Sequence, residues 1–351
     1  MTERPDGRRP RVLVVGRYFW PLGCFDQAVH LMSLTNGLHE SGMHVEVLTP
    51  KYHTDWADQF RFRDVAVHRP FRPPRTAWKK PFDRGTNRYV ESLTQWILHH
   101  GKHFDLLYCD SAREESLAVM TAATALGIRS IVRVSGRGTA SDIEWMKHSR
   151  YGKRVFQAAS DASAIVVADA SSERKWYANG GDSAKLIRIC PGVFPSEPLG
   201  QQELRASLSR INRDFFVPQE HQVLLSIERH EQESGIRAIA NAANSLSIEL
   251  PRLQYWLVGD GQNREAIYSK LRSDGLRQSI AMPGSFGRVD DIFYAADLIV
   301  HAGDDGFDAL IPSAVEAGLP LVLADSEAAR SCFNTRSADL QTRMIRRKET
   351  G

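Results

Sequence analysis

Twice along this chain, short apolar runs rich in β-branched residues alternate with stretches whose apolar residues recur at helical spacing, and this double alternation limits the fold more than any single motif. Strands that read as continuous apolar runs are covered on both faces, and helices between them make a parallel sheet the only economical arrangement. The first series opens with Arg11–Gly16 (RVLVVG). A helical stretch from Asp26 to Gly42 follows, with Ala28, Leu31, Met32, Thr35 and Leu38 on one face, Asp26 placed to cap it and Gly42 to end it. Strand-like runs continue at His44–Pro50, Asp105–Asp110, Gly127–Val134, Ala164–Asp169 and Leu186–Cys190. Phe194–Gln201 (FPSEPLGQ) then breaks the pattern as a linker. It restarts with Val223–Arg229, Leu253–Gly261, Ile280–Gly284, Leu298–Gly303 and Pro320–Asp325. Helical stretches lie around Gly235–Leu250, Gln262–Ser273, Val289–Ala296 and Phe307–Gly318. The 351 residues suit two domains of common size, placed here at 1–196 and 197–351. Ligands of such sheets bind beyond the carboxyl ends of the strands, so two of them are expected to face a shared cleft. The polar stretch Ser326–Gly351 shows no strong strand followed by a long helix, so the second domain is expected to be short of parts.

Composition narrows the function classes. A formal charge of +3 offers no strong field for nucleic acid, which is not expected as a partner. Cys24, Cys109, Cys190 and Cys332 are far apart and form no Cys-x-x-Cys pair, and several lie in or beside strand-like runs, as reduced buried thiols do. A cytoplasmic setting is the expectation. Met1–Pro10 is polar and basic, unlike a signal peptide, and no window approaches the roughly 18 apolar residues of a membrane span. No Asp-x-Asp or histidine cluster points to a metal. VGDGQNR superficially echoes a dinucleotide fingerprint but lacks the third glycine and comes mid-chain, so Gly259 and Gly261 read as turn residues.

Several segments, in order, carry a resemblance: VGRYFWPLGCFDQAVHLMSLTNGLHESGMHVEVLTP, RVSGRGTASD, KLIRICPGV, VGDGQNR, PGSFGRVDDIFYAADLIVHAG and EAGLPLVLAD. Together they resemble the family-4 (group 1) glycosyltransferases over Arg11 to about Asp325. The resemblance implies the GT-B fold, two Rossmann-like parallel-sheet domains facing across a cleft, with the acceptor on the N-terminal side and the donor on the C-terminal side. It implies transfer of a hexose from a nucleotide-diphosphate sugar to a glycan or lipid-linked acceptor, in cell-surface polysaccharide or glycolipid assembly. The nucleotide sugar is then the donor substrate, and no separate cofactor is expected.

The same resemblance supplies site residues. Departing diphosphate is stabilised by basic side chains and a helix start. In IERHEQESG, Arg229 matches the family's arginine, Glu228 stands for its glycine and Ser234 for its lysine. A glutamate beside diphosphate repels it, and a lost lysine contact is worth roughly 1.5–3 kcal/mol. The family's glutamate pair, eight positions apart, maps to Asp305, facing the sugar, and Ser313, at the ribose. Gly306 and Phe307 follow in the donor loop, and Glu316 lies one turn beyond Ser313 as an unlikely stand-in. Of the two glycines expected in the N-terminal loop, Gly23 is kept and Cys24 replaces the other. The acceptor-side histidine maps to Ser135, leaving Asp142 to contact the acceptor.

Plainer readings stand beside these. Arg229 could be a surface residue ending a strand, and the Asp-Asp-Gly around Asp305 is also common turn chemistry. The segment Arg61–Arg88 mixes basic residues with Phe60, Phe62, Phe71, Trp78 and Phe82. It reads first as a solvated loop whose aromatics pack on the first domain. Peripheral contact with the inner membrane surface comes second, and single-stranded nucleic acid also suits the mixture. The departures at Glu228, Ser234 and Ser313 keep open a different class: a glycosyltransferase-like protein that has lost turnover and serves as a binding or assembly partner.

Overall fold

The structure, a computed structural model, describes residues 8–73, 84–193, 200–230, 235–287, 289–333 and the backbone of 344–345. The chain divides into two compact units. One holds the residues up to Phe19, His30–Gly136 and Ala140–Pro191; the other holds Trp20–Val29, Arg137–Thr139 and everything from Gly192 on. The division thus falls at 191/192 rather than 196/197, and two short N-terminal pieces go to the second unit. Residues 194–199, most of the expected linker, lie outside the described residues.

The first unit is built on an eight-stranded sheet. Its strands are β1 Arg11–Val15, β2 His44–Leu48, β3 Gln59–Phe62, β4 Val65–His68, β5 Leu106–Cys109, β6 Arg129–Val134, β7 Ala164–Val167 and β8 Leu186–Arg188. They lie in the order β3-β4-β2-β1-β5-β6-β7-β8, parallel throughout except for the β3–β4 hairpin at one edge. The helices are α1 Asp26–Glu40, whose first four residues are counted with the second unit, α2 Arg84–His100, α3 Glu114–Leu126, α4 Asp142–His148, α5 Gly152–Ser160 and α6 Ala170–Ala178. The apolar runs become strands because both of their faces are covered: Leu13 and Leu107 pack in one cluster, Val14 and Val47 in another. Each such side chain contributes about 1.5–3 kcal/mol on burial.

The second unit carries a six-stranded, all-parallel sheet. Its strands are β9 Gln222–Ile227, β10 Leu253–Val258, β11 Ile280–Gly284, β12 Leu298–His301, β13 Leu321–Ala324 and β14 Met344–Ile345, in the order β11-β10-β9-β12-β13-β14. Its helices are α7 Gln201–Ile211, α8 Ile236–Glu249, α9 Arg264–Ser273, α10 Asp290–Ala295, α11 Leu310–Glu316 and α12 Glu327–Phe333. In the final stretch the described residues form the seven-residue α12 and a two-residue sixth strand, β14, paired to β13. A two-residue edge strand leaves no periodicity for a sequence reading to find.

Within the basic, aromatic segment the described aromatics pack on the first unit as expected, but Arg61–His68 forms most of the β3–β4 hairpin rather than a loop. Phe60 and Phe62 of β3 pack against the core under β1 and β2, and Phe71 packs against its neighbour. Arg69 is buried, its guanidinium 4.6 Å from the Trp56 ring centroid and 4.2 Å from that of Phe60. Residues 74–83, with Trp78 and Phe82, lie outside the described part. No described helix is long and apolar enough to cross a membrane.

Candidate functional site

In an open parallel sheet, ligands bind where the strand order reverses direction. In the second unit, β10 and β11 lie to one side of β9 while β12 and β13 lie to the other, so the reversal falls between β9 and β12. The residues just past these two strands are Glu228, Arg229 and His230, and Ala302 to Gly306. Two of the residues expected in a donor site, Arg229 and Asp305, therefore emerge side by side. Arg229 Nε lies 2.8 Å from Asp305 Oδ2, with both side chains about one-third exposed. Asp305 Oδ1 accepts the N–H of Gly306 at 3.0 Å, which orients the carboxylate. Gly306 has φ +97°, a conformation favouring glycine, and so turns the chain from this loop toward α11.

Glu228 does not take the position expected of it. Its side chain is buried, and Oε1 accepts the N–H groups of Ala302 at 2.8 Å and Gly303 at 3.2 Å. A carboxylate turned inward onto two backbone donors repels an anion outside far less than one beside it. His301, also buried, places Nδ1 3.5 Å from Glu228 Oε1 and Nε2 2.5 Å from the carbonyl oxygen of Asp305. Phe307, expected to bind donor, is 2% exposed and stands edge-on to the His301 ring. It is a wall of the protein interior. His230, which no sequence signal singled out, is fully buried with neither ring nitrogen hydrogen-bonded. Burial lowers its pKa to about 4, so it is a neutral imidazole.

The start of α11 is occupied by the protein itself. Asp26 Oδ2 accepts the N–H of Asp308 at 3.0 Å, and Oδ1 accepts those of Ala309 and Leu310 at 2.7 and 2.9 Å. The sequence placed Asp26 as the cap of its own helix; its carboxylate serves a distant one instead. Burial pushes the Asp26 pKa up to about 7, Asp308 and Asp305 reinforce this by repulsion, and the N–H groups of Leu310 and Asp308 oppose it. Arg137 answers the negative charge with Nε 3.1 Å from Asp308 Oδ1, and Thr139 donates to Asp304.

Gly23 lies in the same unit, but its openness serves packing: an added Cβ would stand 2.3 Å from the carbonyl oxygen of Phe286. Beside it, Cys24 Sγ lies 3.2 Å from Ser285 Oγ, which in turn donates to the carbonyl of Pro21. Burial pushes the Cys24 thiol up to about 12, with Ser285 opposing, so it is no nucleophile. Ser313 is buried and donates to the carbonyl of Ala309, a bond along its own helix. It shares with Asp290, Phe293, Tyr294 and the exposed Glu316 a small pocket of the second unit. Ser234 lies outside the described residues.

In the first unit the reversal lies between β1 and β5. Beyond these strands, Arg17 bonds Glu114 and Glu115 at 2.7 and 2.8 Å, and Asp110 meets Arg133 and His30 at 3.3 and 3.4 Å. Asp142 corrects its expected role as an acceptor contact. It has no exposed surface; Oδ2 accepts from Ala112 N, Ser135 N and Ser135 Oγ, and Oδ1 lies 2.7 Å from Arg113 Nε. All of its acceptor capacity within reach goes to fixing the turns after β5 and β6, and Ser135 is fixed with it. Among the described residues, no group of histidine, cysteine and carboxylate side chains could hold a metal ion.

Residues 27–192 match the family model of the glycosyl transferase 4-like domain. No curated protein matches the sequence. Among solved structures, Anabaena HepE in complex with UDP and glucose aligns with a TM-score of 0.64 at 15% identity, covering 91% of this chain and 81% of that one. Sucrose-phosphate synthase from Thermosynechococcus elongatus aligns at 0.63 and 14%, covering 92% and 83%. WaaG, a glycosyltransferase involved in lipopolysaccharide biosynthesis, aligns at 0.62 and 15%, covering 92% and 84%. Residues 27–192 are thus similar to a glycosyl transferase 4-like domain, and the structural likenesses over more than nine-tenths of the chain show the GT-B fold.

Proposed function

We propose that this chain transfers a hexose from a nucleotide-diphosphate sugar to a glycan or lipid-linked acceptor, in the assembly of cell-surface polysaccharide or glycolipid. The observation that carries the reading is the Arg229–Asp305 pair at the strand reversal of the second sheet. There a cation able to meet diphosphate stands beside a carboxylate able to meet sugar hydroxyls. The relatives support the substrate class: HepE is described with UDP and glucose, and WaaG with lipopolysaccharide biosynthesis. Exposed Arg61, Arg63, Arg72, Arg84 and Arg88 would place such an enzyme against an anionic membrane surface. A lipid-linked acceptor would be met there.

A second reading, a glycosyltransferase-like binding or assembly partner without turnover, is favoured by one specific observation. The N–H groups of Asp308, Ala309 and Leu310 are already filled by the Asp26 carboxylate. Calorimetric titration with UDP, GDP and ADP separates the two. The enzyme reading expects micromolar binding of one of them and a loss of about tenfold or more in Arg229→Ala, the worth of a charge-assisted contact. Silence of the wild-type protein toward all three would overturn the enzyme reading and leave the second.

A further inference from the structure

The glutamate that interrupts the diphosphate-binding segment has a built partner on the far side of the loop. Glu228 directly follows β9 and His301 closes β12, and both are buried in the interior of the second unit. Oε1 of Glu228 holds the two N–H groups that begin the loop, Ala302 at 2.8 Å and Gly303 at 3.2 Å. His301 holds the loop's other end. Its Nε2 faces the carbonyl of Asp305 at 2.5 Å, so that nitrogen carries the proton and donates. The ring has little freedom: Phe307 stands edge-on at 5.2 Å between centroids, and a Cβ on Gly306 would lie 3.3 Å from its Cε1. From outside, the start of α8 presses on the same loop, since a Cβ on Gly235 would fall 2.3 Å from the carbonyl carbon of Ala302.

We propose that Glu228 and His301 are a pair of positioning residues that fix the loop Ala302–Gly306, and through it the Asp305 carboxylate beside Arg229. The inference rests on the donor-site reading and deepens it. Asp305 reaches the sugar, while Arg229 reaches the diphosphate, so the pair governs recognition of the sugar part of the donor. Glu228 thereby changes from an intruder in an anion site to the residue that makes the loop rigid. Its position next to Arg229 in sequence ties both ends of the site to a single strand.

The test compares affinity for UDP-glucose with affinity for UDP, by calorimetry, in four variants. Glu228→Ala and His301→Leu should weaken UDP-glucose about tenfold or more while changing UDP less than about threefold. Glu228→Gln keeps an oxygen for Ala302 and Gly303, and His301→Gln keeps a donor near the Asp305 carbonyl, so both should stay near wild type. Equal losses for the two ligands would mean general disruption and overturn the proposal, as would no loss in any variant. Amide hydrogen exchange reports without a ligand. Exchange at Ala302, Gly303 and Gly306 should rise at least tenfold in Glu228→Ala and stay close to wild type in Glu228→Gln. Should the wild-type protein bind neither UDP compound, the donor reading falls for those nucleotides, and the exchange result alone decides whether Glu228 holds the loop.

Discussion

Asp26 shows how one side chain can belong to two levels of organisation at once. From sequence it is an ordinary first residue of an amphipathic helix. In the structure it is the acceptor for three N–H groups some 280 positions away, a difference read from Asp26 to Asp308 and Leu310. No local pattern could have announced that partnership, just as none announced that Glu228 would turn toward His301. That Arg229 and Asp305 stand together was legible through the family resemblance, which set each just past a strand of one sheet. Asp26 also yields a signed pH dependence. Burial and neighbouring acids raise its pKa from 3.8 to about 7. The folded protein therefore holds a proton over this range that the unfolded chain releases. Its contribution is fully present below about pH 4 and is lost as the pH climbs toward 7. At about 1.4 kcal/mol per unit over roughly three units, the loss is on the order of 4 kcal/mol. Asp26→Asn should flatten urea-derived stability between pH 4 and 8, at the cost of one N–H, that of Asp308, facing an amide nitrogen. An unchanged slope would show that other groups dominate. The same variant removes a negative charge close to Asp305, so nucleotide diphosphate should bind it more tightly at pH 8. Weaker binding would remove competition by Asp26 as the ground for the second functional reading.

The elements themselves were the most legible part. β1, β2 and β5 to β13 all fall within or beside apolar runs visible in the sequence, and for the central strands burial on both faces leaves an uninterrupted signal. The β3–β4 hairpin was missed because arginines alternate with its aromatics and hide them in a basic segment. Arg69 explains how that edge is held. It is 2% exposed, lies against Trp56 and Phe60, and its backbone N–H bonds the carbonyl of Asp58 at 2.6 Å. A planar guanidinium stacks on rings where an ammonium cannot, and it is less strongly hydrated. Burial brings its pKa down to about 10, so it remains a cation at neutral pH. Arg69→Lys should therefore destabilise the protein by about 1 kcal/mol despite keeping the charge, seen as a lower denaturant midpoint with unchanged slope. Arg61→Lys, at an exposed position of the same hairpin, should be neutral. If the two substitutions cost the same, stacking is not what fixes this edge.

Each sheet follows the expected alternation, but the molecule does not divide as a simple cut in sequence would divide it. Trp20–Val29 and Arg137–Thr139 belong to the second unit although they are flanked by residues of the first. The reason is electrostatic as well as steric. Asp308 is 3% exposed with Arg137 Nε at 3.1 Å, and the neighbouring N–H groups are closed by Asp26. A fragment beginning at Gly192 would leave both partners behind. Removing one member of a buried ion pair costs roughly 3–5 kcal/mol, and losing a cap adds about 1 kcal/mol. These sums approach half of a typical domain's stability of 5–15 kcal/mol. The fragment 192–351 should therefore unfold at markedly lower urea than the corresponding transition in the whole chain. Arg137→Ala in the whole chain should reproduce most of that loss, and Arg137→Lys only part, because lysine keeps the charge without the fork that also reaches Ser331 Oγ at 3.2 Å. A fragment as stable as the intact protein would show that the inserted segments decorate the second unit without supporting it. In that case Asp26 would be free to leave the Asp308–Leu310 N–H groups at little cost, as binding of a donor diphosphate there would require.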